Sequence, residues 1–432
     1  MLSHLSLLVF AAYPLLTAGL PASATTTATV APPSKCAALM DGKLPTFTPS
    51  SFHFSGTVRQ YYISAEEVEW DYAPTGWDNW LGVPMKDSPR AKQANYIHWG
   101  TKWLKALYRE YTDSSFSAYA PQPPWQGAQG PSIRSEVGDM VEIMFFNKLT
   151  KNYATMHSMG LSYTKFYEGS DYPNNTAPGV NVTLPVTEAV SPQDGGVEPG
   201  DCVVYKWLVD ESALPDAGTS AQVHSYHSYV SLLEDVNAGL IGPHFVYAPG
   251  KLNTTVANSR EFPLLYMTYA EGQSWLSGEN LAKLNGTMPM SSSDVLDKDM
   301  PAGNTTVWKP QNVNIEGAGQ FMGAPTFYAM NGYVFGNNPT FEMCLDDPVI
   351  WYVNAYGSAS HVFHMHGNNF QYEGNYDYAE SLNDGVGKAL FMNASNPGKW
   401  QVICHVSDHH DSGMELYYQV YQTGCPLTAL GD

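Results

Sequence analysis

The residues best able to do chemistry lie near the C-terminal end of the sequence. His361 precedes a loop that runs from Cys404 through His409 to Met414. Two imidazoles and one thiolate in a trigonal plane, with a long axial thioether, form a blue-copper site. These four residues have the required types, and the sequence therefore predicts that they hold one copper ion. The alternative interpretation is a histidine-rich loop with a buried free cysteine.

Further histidines accompany this set. His364 and His366 follow His361 closely, and His405 comes directly after Cys404. Side chains alternate between the two faces of a strand, so His364 and His366 are predicted to face away from His361. One segment of chain can therefore serve two different metal sites.

The N-terminus and the cysteines indicate an exported protein. Leu5–Leu20 is an apolar run followed by small residues, a pattern typical of a secretory signal peptide. The sequence contains five cysteines, so a metal-bound Cys404 leaves the others free to form two disulfides. Secretion and N-glycosylation are also supported by N-x-S/T sequons at Asn174, Asn181, Asn253, Asn285, Asn304 and Asn393. The alternative is an intracellular protein.

Charge and missing motifs argue against several classes of function. The 432-residue chain carries 21 basic and 41 acidic residues, a formal net charge of −20, which opposes binding to nucleic acid or to an anionic membrane. The Leu5–Leu20 run is too short to span a bilayer. The sequence also lacks H-E-x-x-H, phosphate-loop and G-x-S-x-G patterns, so other enzyme classes are disfavoured.

The composition predicts an all-β protein. Aromatic residues make up 13% of the chain and charged residues only 14%, which is typical of β-sandwiches, and sustained helical periodicity is hard to find. A loose internal repeat relates Gly130–Asn147 to Pro339–Asn354. We therefore predict two sandwich domains. The predicted boundaries are 1–24 for the signal peptide, 25–50 for a lead-in, 51–247 for the first domain, 248–262 for a linker and 263–432 for the second domain.

Dispersed motifs between about Gly56 and Cys425 resemble the ceruloplasmin-like multicopper oxidases. They are YYISAEEVEWDYAPTG, GLIGP, MNGYVFGN, FEMCLDDPVIWYV, NPGKW and CHVSDH. The resemblance implies cupredoxin-type Greek-key β-sandwiches and copper cofactors. It covers one pair of cupredoxin domains, where ceruloplasmin has three pairs. It also implies a disulfide between Cys344 and Cys425, which leaves Cys36 and Cys202 as the remaining pair.

In this family, four histidine-x-histidine motifs hold a trinuclear copper cluster that reduces dioxygen. Three of the corresponding motifs here are incomplete, because the partner histidine is replaced by Met159, Tyr229 or Ile403. Isoleucine has no donor atom, and a phenol is a poor ligand while protonated near pH 7. The cluster ligands that the resemblance leaves are His157, His227, His364, His366 and His405. We predict one type 1 blue copper and one further copper at this residual site; the alternative is that these histidines bind nothing.

The resemblance implies a secreted copper oxidoreductase. The expected partners are a small organic reductant such as a phenol, with dioxygen as the acceptor. Asp408 matches an acidic residue of the iron site in ceruloplasmin-like ferroxidases, but Gly323 and Tyr328 replace its other ligands, so ferroxidase activity is less favoured. Asp408 is predicted to accept a proton from the organic substrate, although an exposed loop carboxylate is the alternative. A non-catalytic electron carrier or copper-binding protein is the second functional hypothesis.

The family also suggests an assembly. Its trinuclear cluster lies between the first and last domains of a closed ring. A two-domain chain closes such a ring by repetition, most simply as a homotrimer. We therefore predict that His157 and His227 meet the other three cluster histidines across a contact between neighbouring chains.

Overall fold

Aromatic and β-branched segments of the first half of the chain form strands that end at glycine, proline or aspartate turns. The computed structural model describes residues 34–93, 99–170, 196–283, 296–297, 316–317, 326–357, 360–428 and 430. The strands of this half are β1 (Val58–Asp71), β2 (Trp77–Asp78), β3 (Val83–Pro84), β4 (Lys102–Tyr111), β5 (Ile133–Glu136), β6 (Met140–Asn147), β7 (His157–Ser158), β8 (Cys202–Leu208), β9 (Ala221–His227) and β10 (Ile241–Tyr247).

The second half repeats this pattern of strands. They are β11 (Arg260–Ala270), β12 (Leu296–Asp297), β13 (Glu316–Gly317), β14 (Thr326–Met330), β15 (Phe341–Cys344), β16 (Pro348–Tyr356), β17 (Ser360–Met365), β18 (Phe370–Tyr372), β19 (Asn375–Asp377), β20 (Ala379–Asn383), β21 (Gly387–Asn393), β22 (Gly398–Cys404) and β23 (Glu415–Tyr421). As the sequence predicts, β-structure dominates and the helices are short.

The helical segments connect the strands. The α-helices described are Ser34–Ala37, Pro89–Gln93, Leu232–Ala238, Leu252–Asn258, Ser277–Lys283 and Ser407–Asp411. The 3₁₀ turns are Met85–Asp87, Pro124–Gln126, Lys165–Tyr167, Glu211–Ala213 and Glu271–Gln273. In the part of the chain that the structure describes, no helix has both the length and the hydropathy needed to cross a membrane.

The two halves have the same sheet topology. In the first half the sheets have the orders β4-β1-β6-β8 and β5-β10-β9-β7. In the second half, β14-β11-β16-β21 continues into β18-β19, and β15-β23-β22-β17 continues into β20. The parallel strand pairs also correspond. The pair β1–β6 of the first half is equivalent to β11–β16 of the second, and β5–β10 is equivalent to β15–β23. The predicted two-sandwich fold is confirmed, and the predicted repeat covers β5–β6 and β15–β16.

Each sandwich has an apolar core, and further clusters join the halves. Phe245 on β10 stacks on Tyr352 on β16 with ring centroids 3.9 Å apart. Lys105 on β4 forms an ion pair of 2.7 Å with Glu271, and both side chains are fully buried. The described residues, all of which lie within 32–432, accordingly belong to one compact unit.

The predicted disulfides, linker and glycosylation sequons can be compared with the structure. The disulfides Cys36–Cys202 and Cys344–Cys425 are both formed, with Cα–Cα distances of 6.2 Å and 5.7 Å. The predicted linker, residues 248–262, contains a helix and the start of β11, while the domain boundaries themselves stay a prediction. The signal peptide and the sequons at Asn174, Asn181, Asn285 and Asn304 lie outside the described residues. Asn253 and Asn393 are both exposed.

Candidate metal centre

Four of the predicted ligands come together at one end of the second sandwich. Cys404 Sγ lies 3.8 Å from His361 Nδ1 and 3.5 Å from His409 Nδ1. Met414 Sδ lies 3.3 Å from His361 Nδ1. The side chains of His361, Cys404 and Met414 are fully buried, and His409 is 8% exposed. The structure thus places two imidazoles, one thiol and one thioether around a common point.

Strand pairing explains this convergence. Cys404 ends β22 and pairs with Phe363 on β17, which also carries His361. The chain then turns through the helix Ser407–Asp411 and returns to Met414, whose carbonyl accepts a 3.0 Å hydrogen bond from the Cys404 N–H. Gly413 has a φ of +99°, and a Cβ there would lie 2.8 Å from the Phe335 ring, so this turn requires glycine.

The spacing of the donor atoms fits one metal ion. Bonds of roughly 2.0–2.3 Å at trigonal angles separate neighbouring ligand atoms by about 3.6 Å. Both imidazole-to-sulfur distances are close to this value, and the three donors of His361, Cys404 and His409 all lie within 4.8 Å of one another. Imidazole, thiolate and thioether are also the donors that copper prefers. The residues present therefore fit a copper ion.

Burial sets the protonation state of the ligands. It lowers the pKa of His361 to about 4, helped by the neighbouring His409, and it also lowers the pKa of His409. Both imidazoles are consequently neutral near pH 7, with a lone pair free for a metal. Burial raises the pKa of the Cys404 thiol, so a metal must displace its proton on binding.

The intact histidine motif forms a second group on the outer face of β17. His361 faces inward on this strand and His364 is only half-buried, as alternation predicts. The ring of His364 lies 5.1 Å from that of His366 and 5.1 Å from that of His405. His364 Nδ1 is bonded to the Tyr378 carbonyl, which leaves its Nε2 for a ligand.

A third group lies in the first sandwich. The rings of His157 and His227, which are register partners on β7 and β9, are 5.5 Å apart. Tyr229 lies 5.2 Å from His157 and 5.6 Å from His227, so the replacing phenol does face the imidazoles. Both Nδ1 atoms are bonded to carbonyls, those of Glu168 and Ser228, and burial lowers the pKa of both rings.

In the described ranges no ring contact joins these two histidine groups to each other, whereas ring contacts link the members within each group. Among the residues described, the one set of three or more His, Cys, Asp and Glu donors in mutual reach is His361, Cys404 and His409.

The approach to His409 contains Asp408 and Tyr328. Asp408 is exposed at the start of the helix Ser407–Asp411. The half-buried ring of Tyr328, on β14, lies 4.7 Å from the His409 ring. Burial and the Asp408 charge raise the pKa of this phenol. Gly323 lies outside the described residues. Sequence comparison named Tyr328 only as a lost iron ligand and missed its packing on His409, which depends on the pairing of β14 with β11.

Comparison with known proteins identifies relatives of the whole described unit. Residues 299–424 match the family model described as multicopper oxidase. The chain is 32% identical to the human ferroxidase HEPHL1 over 378 residues, which are 84% of this chain and 29% of the relative. It is 31% identical to rat hephaestin over 387 residues, with coverages of 84% and 28%. It is 30% identical to human ceruloplasmin over 379 residues, with coverages of 84% and 31%.

These relatives are much longer than the matched region. The chain spans less than a third of the length of each, at 29%, 28% and 31%. Among solved structures, multicopper oxidase mgLAC is similar over 86% of this chain and 88% of that chain, with a TM-score of 0.50 and 17% identity. That likeness concerns the fold alone.

Proposed function

Because the chain belongs to the multicopper oxidase family and is similar to ceruloplasmin, we propose that it is a secreted copper-dependent oxidoreductase. Its proposed substrate is a small organic reductant such as a phenol, with dioxygen as the acceptor. The single observation that carries the proposal is the convergence of His361, Cys404, His409 and Met414 with spacings that fit one copper ion. Bound copper supplies one-electron redox chemistry.

The residues around the site have distinct proposed roles. His409 is the least buried of the four ligands and faces the proposed entry side, beside Tyr328 and Asp408. Asp408 accepts the proton that a phenol loses as it is oxidised. Tyr328 offers an aromatic face on which a phenol ring packs. Cys404 and His405 are adjacent in sequence, so the type 1 site and the residual histidine site are joined by one peptide bond.

The remaining histidines hold one further copper in this proposal. His364, His366 and His405 supply three imidazoles, and His157 and His227 of a neighbouring chain in a homotrimer supply two more. In the described ranges the rings contact only members of their own group, which supports this arrangement. Replacement of three motif residues by Met159, Tyr229 and Ile403 is expected to weaken the site relative to a complete trinuclear cluster.

Metal analysis combined with spectroscopy tests the function. Purified protein is expected to contain about two coppers per chain, to show an intense blue band, and to have one type 1 paramagnetic signal. The band should bleach with a phenol and recover under air. Protein that binds copper without a blue band would contradict the type 1 assignment. Four tightly held coppers per chain would contradict the residual-site assignment.

Measurements on the same purified protein distinguish the proposed function from two others, a ferroxidase and a non-catalytic electron carrier. The relative HEPHL1 is named a ferroxidase, and Fe(II) is therefore the second candidate substrate. Packing of Tyr328 on His409 disfavours it, because a ring occupies the approach and a neutral phenol is a poor iron ligand. Faster turnover with Fe(II) than with phenols would favour the ferroxidase. A band that bleaches and stays bleached under air would favour a non-catalytic electron carrier.

A further inference from the structure

A buried arginine from the first half of the chain forms hydrogen bonds with the loop that carries the candidate metal ligands. Arg90, only 8% exposed, reaches Glu415 with both terminal nitrogens, Nη1 to Oε1 at 2.9 Å and Nη2 to Oε2 at 3.1 Å. Its Nη2 also donates to the carbonyl of His410. Its guanidinium lies 4.2 Å from the Trp80 ring and 5.0 Å from the Phe335 ring. A guanidinium with two aromatic contacts and a paired, fully buried carboxylate is tightly fixed.

The position of Arg90 is itself determined by a buried carboxylate. Asp78, fully buried, accepts hydrogen bonds from the backbone N–H of Trp80 and of Leu81 and a 2.7 Å hydrogen bond from Ser88 Oγ. Ser88 Oγ in turn accepts from the N–H of Ala91, at the start of the helix Pro89–Gln93. This network fixes the helix that presents Arg90, without any contact to the ligands themselves.

The groups that Arg90 holds are the chain neighbours of two ligands. His410 follows His409, and Glu415 follows Met414. His410 Nε2 also lies 3.2 Å from Glu415 Oε2, so the guanidinium, the carboxylate and the imidazole form one connected unit. Fixing one residue within the loop and one at its end limits how far His409 and Met414 can move from Cys404.

We propose that Arg90 is a positioning residue for the type 1 site, holding His409 and Met414 in place through Glu415 and His410. This inference rests on the proposed function, because it assumes that the loop binds copper. It assigns a role at the metal centre to a helix from the first half of the chain. Among the described residues, no strand of that half pairs with a strand that borders the ligand loop. Removing an outer partner of metal ligands typically weakens metal binding by about 10- to 100-fold.

The test compares Arg90→Met with Arg90→Lys and with a matched control. Lys105→Met is the control, because Lys105 is also buried and also pairs with a buried carboxylate, Glu271, of the other half of the chain. Copper affinity and the visible spectrum are measured for all variants. Opening of the loop is measured in the copper-free protein by the rate at which a small thiol reagent modifies Cys404. Cys404 is the one free cysteine, because the other four cysteines form the two disulfides.

For Arg90→Met we expect copper binding weaker by about 10- to 100-fold, an altered blue band, and thiol modification faster by about tenfold through local opening. Arg90→Lys keeps the charge but loses the bidentate contact with Glu415. Its copper affinity and its rate of thiol modification should therefore lie between those of Arg90→Met and wild type. Lys105→Met should melt at a lower temperature while its spectrum, affinity and thiol reactivity stay like those of wild type.

Wild-type spectrum, affinity and thiol reactivity in Arg90→Met would overturn the positioning role. If Arg90→Met does not fold, Arg90→Lys decides, because wild-type behaviour of that variant would reject a role for the guanidinium fork. A wild-type chain that binds no copper would reject the proposed function, while thiol reactivity would still decide whether Arg90 holds the loop.

Discussion

The two sandwiches share one strand order and differ in the loop that connects corresponding strands. In the first, the chain between β9 and β10 carries Asp235, a buried carboxylate. It accepts hydrogen bonds from Ser228 Oγ, the backbone N–H of Val230 and Trp275 Nε1. In the second, the chain between β22 and β23 carries His409 and Met414. The first loop buries a carboxylate that neighbouring hydrogen-bond donors satisfy, and the second directs donor atoms towards a shared point.

The candidate metal ligands of the second sandwich come from both strands and loop, because His361 and Cys404 lie on β17 and β22 and the loop adds His409 and Met414. The register equates Ser228 with Cys404, because the N–H of each donates to the carbonyl of the residue before the next strand, and it equates His227 with Ile403. The loop of the first sandwich buries one carboxylate, Asp235, together with its hydrogen-bond donors. The second keeps a thiol, two imidazoles and a thioether in contact, and sandwich stability alone does not require that set.

The largest expected effect is that of Cys404→Ser. Loss of the thiolate should abolish the blue band and the proposed oxidase activity completely, because a hydroxyl is a poor substitute for a soft sulfur donor. In the first sandwich, His227→Ala should leave the blue band intact while lowering the copper content. Visible spectra and metal analysis of both variants check the comparison. A blue band that survives Cys404→Ser would refute the assignment of the ligands.

The next effect concerns the buried carboxylate of the first loop. Burial raises the pKa of Asp235 to about 7, in spite of its hydrogen-bond donors. The folded state then holds a proton that the unfolded chain releases near its ordinary pKa of 3.8. The stabilisation is complete below that value and is lost as the pH rises to about 7, a change of about 4 kcal/mol in the free energy of unfolding.

Asp235→Asn isolates this contribution, because the amide does not titrate. We expect the stability advantage of wild type over Asp235→Asn to shrink as the pH rises from about 4 to about 7. Chemical denaturation of both proteins across this range measures it. Other groups titrate in the same interval, but they are common to both proteins and cancel in the difference. An advantage that stays constant with pH would show that Asp235 remains ionised in the folded state.

Residue types and order were enough to predict the fold and the convergence of the four candidate metal ligands. The strand repeat, the two disulfides and the grouping of His361, Cys404, His409 and Met414 follow from local patterns and family motifs. Arg90 could not be predicted in this way. It lies in a short helix far from Glu415 in sequence, and only the docking of the two sandwiches brings their side chains together. The sequence identified Tyr328 as the replacement of an iron ligand, but it did not predict the contact of this ring with His409.

A smaller effect is expected from Asp408→Asn, on the ligand loop of the second sandwich. If Asp408 accepts the phenol proton, kcat with a phenol should fall by about 100-fold. A one-electron donor that loses no proton, such as ferrocyanide, should react as fast as with wild type. Asp411→Asn is the matched control, since Asp411 is exposed on the same helix. Equal slowing of both donors would indicate a change at the metal and not a role for Asp408 as a base.

The smallest expected effect tests whether the two histidine groups meet across chains. His157→Ala and His366→Ala each remove one side of the proposed site, so either variant alone should lose the further copper. In co-expressed, mixed trimers, an intact site forms wherever the first sandwich of a His366→Ala chain meets the second sandwich of a His157→Ala chain. Random mixing gives this pairing at about a quarter of the contacts in a closed ring. Metal analysis should therefore recover about a quarter of the lost copper, whereas a site built within one chain would recover none.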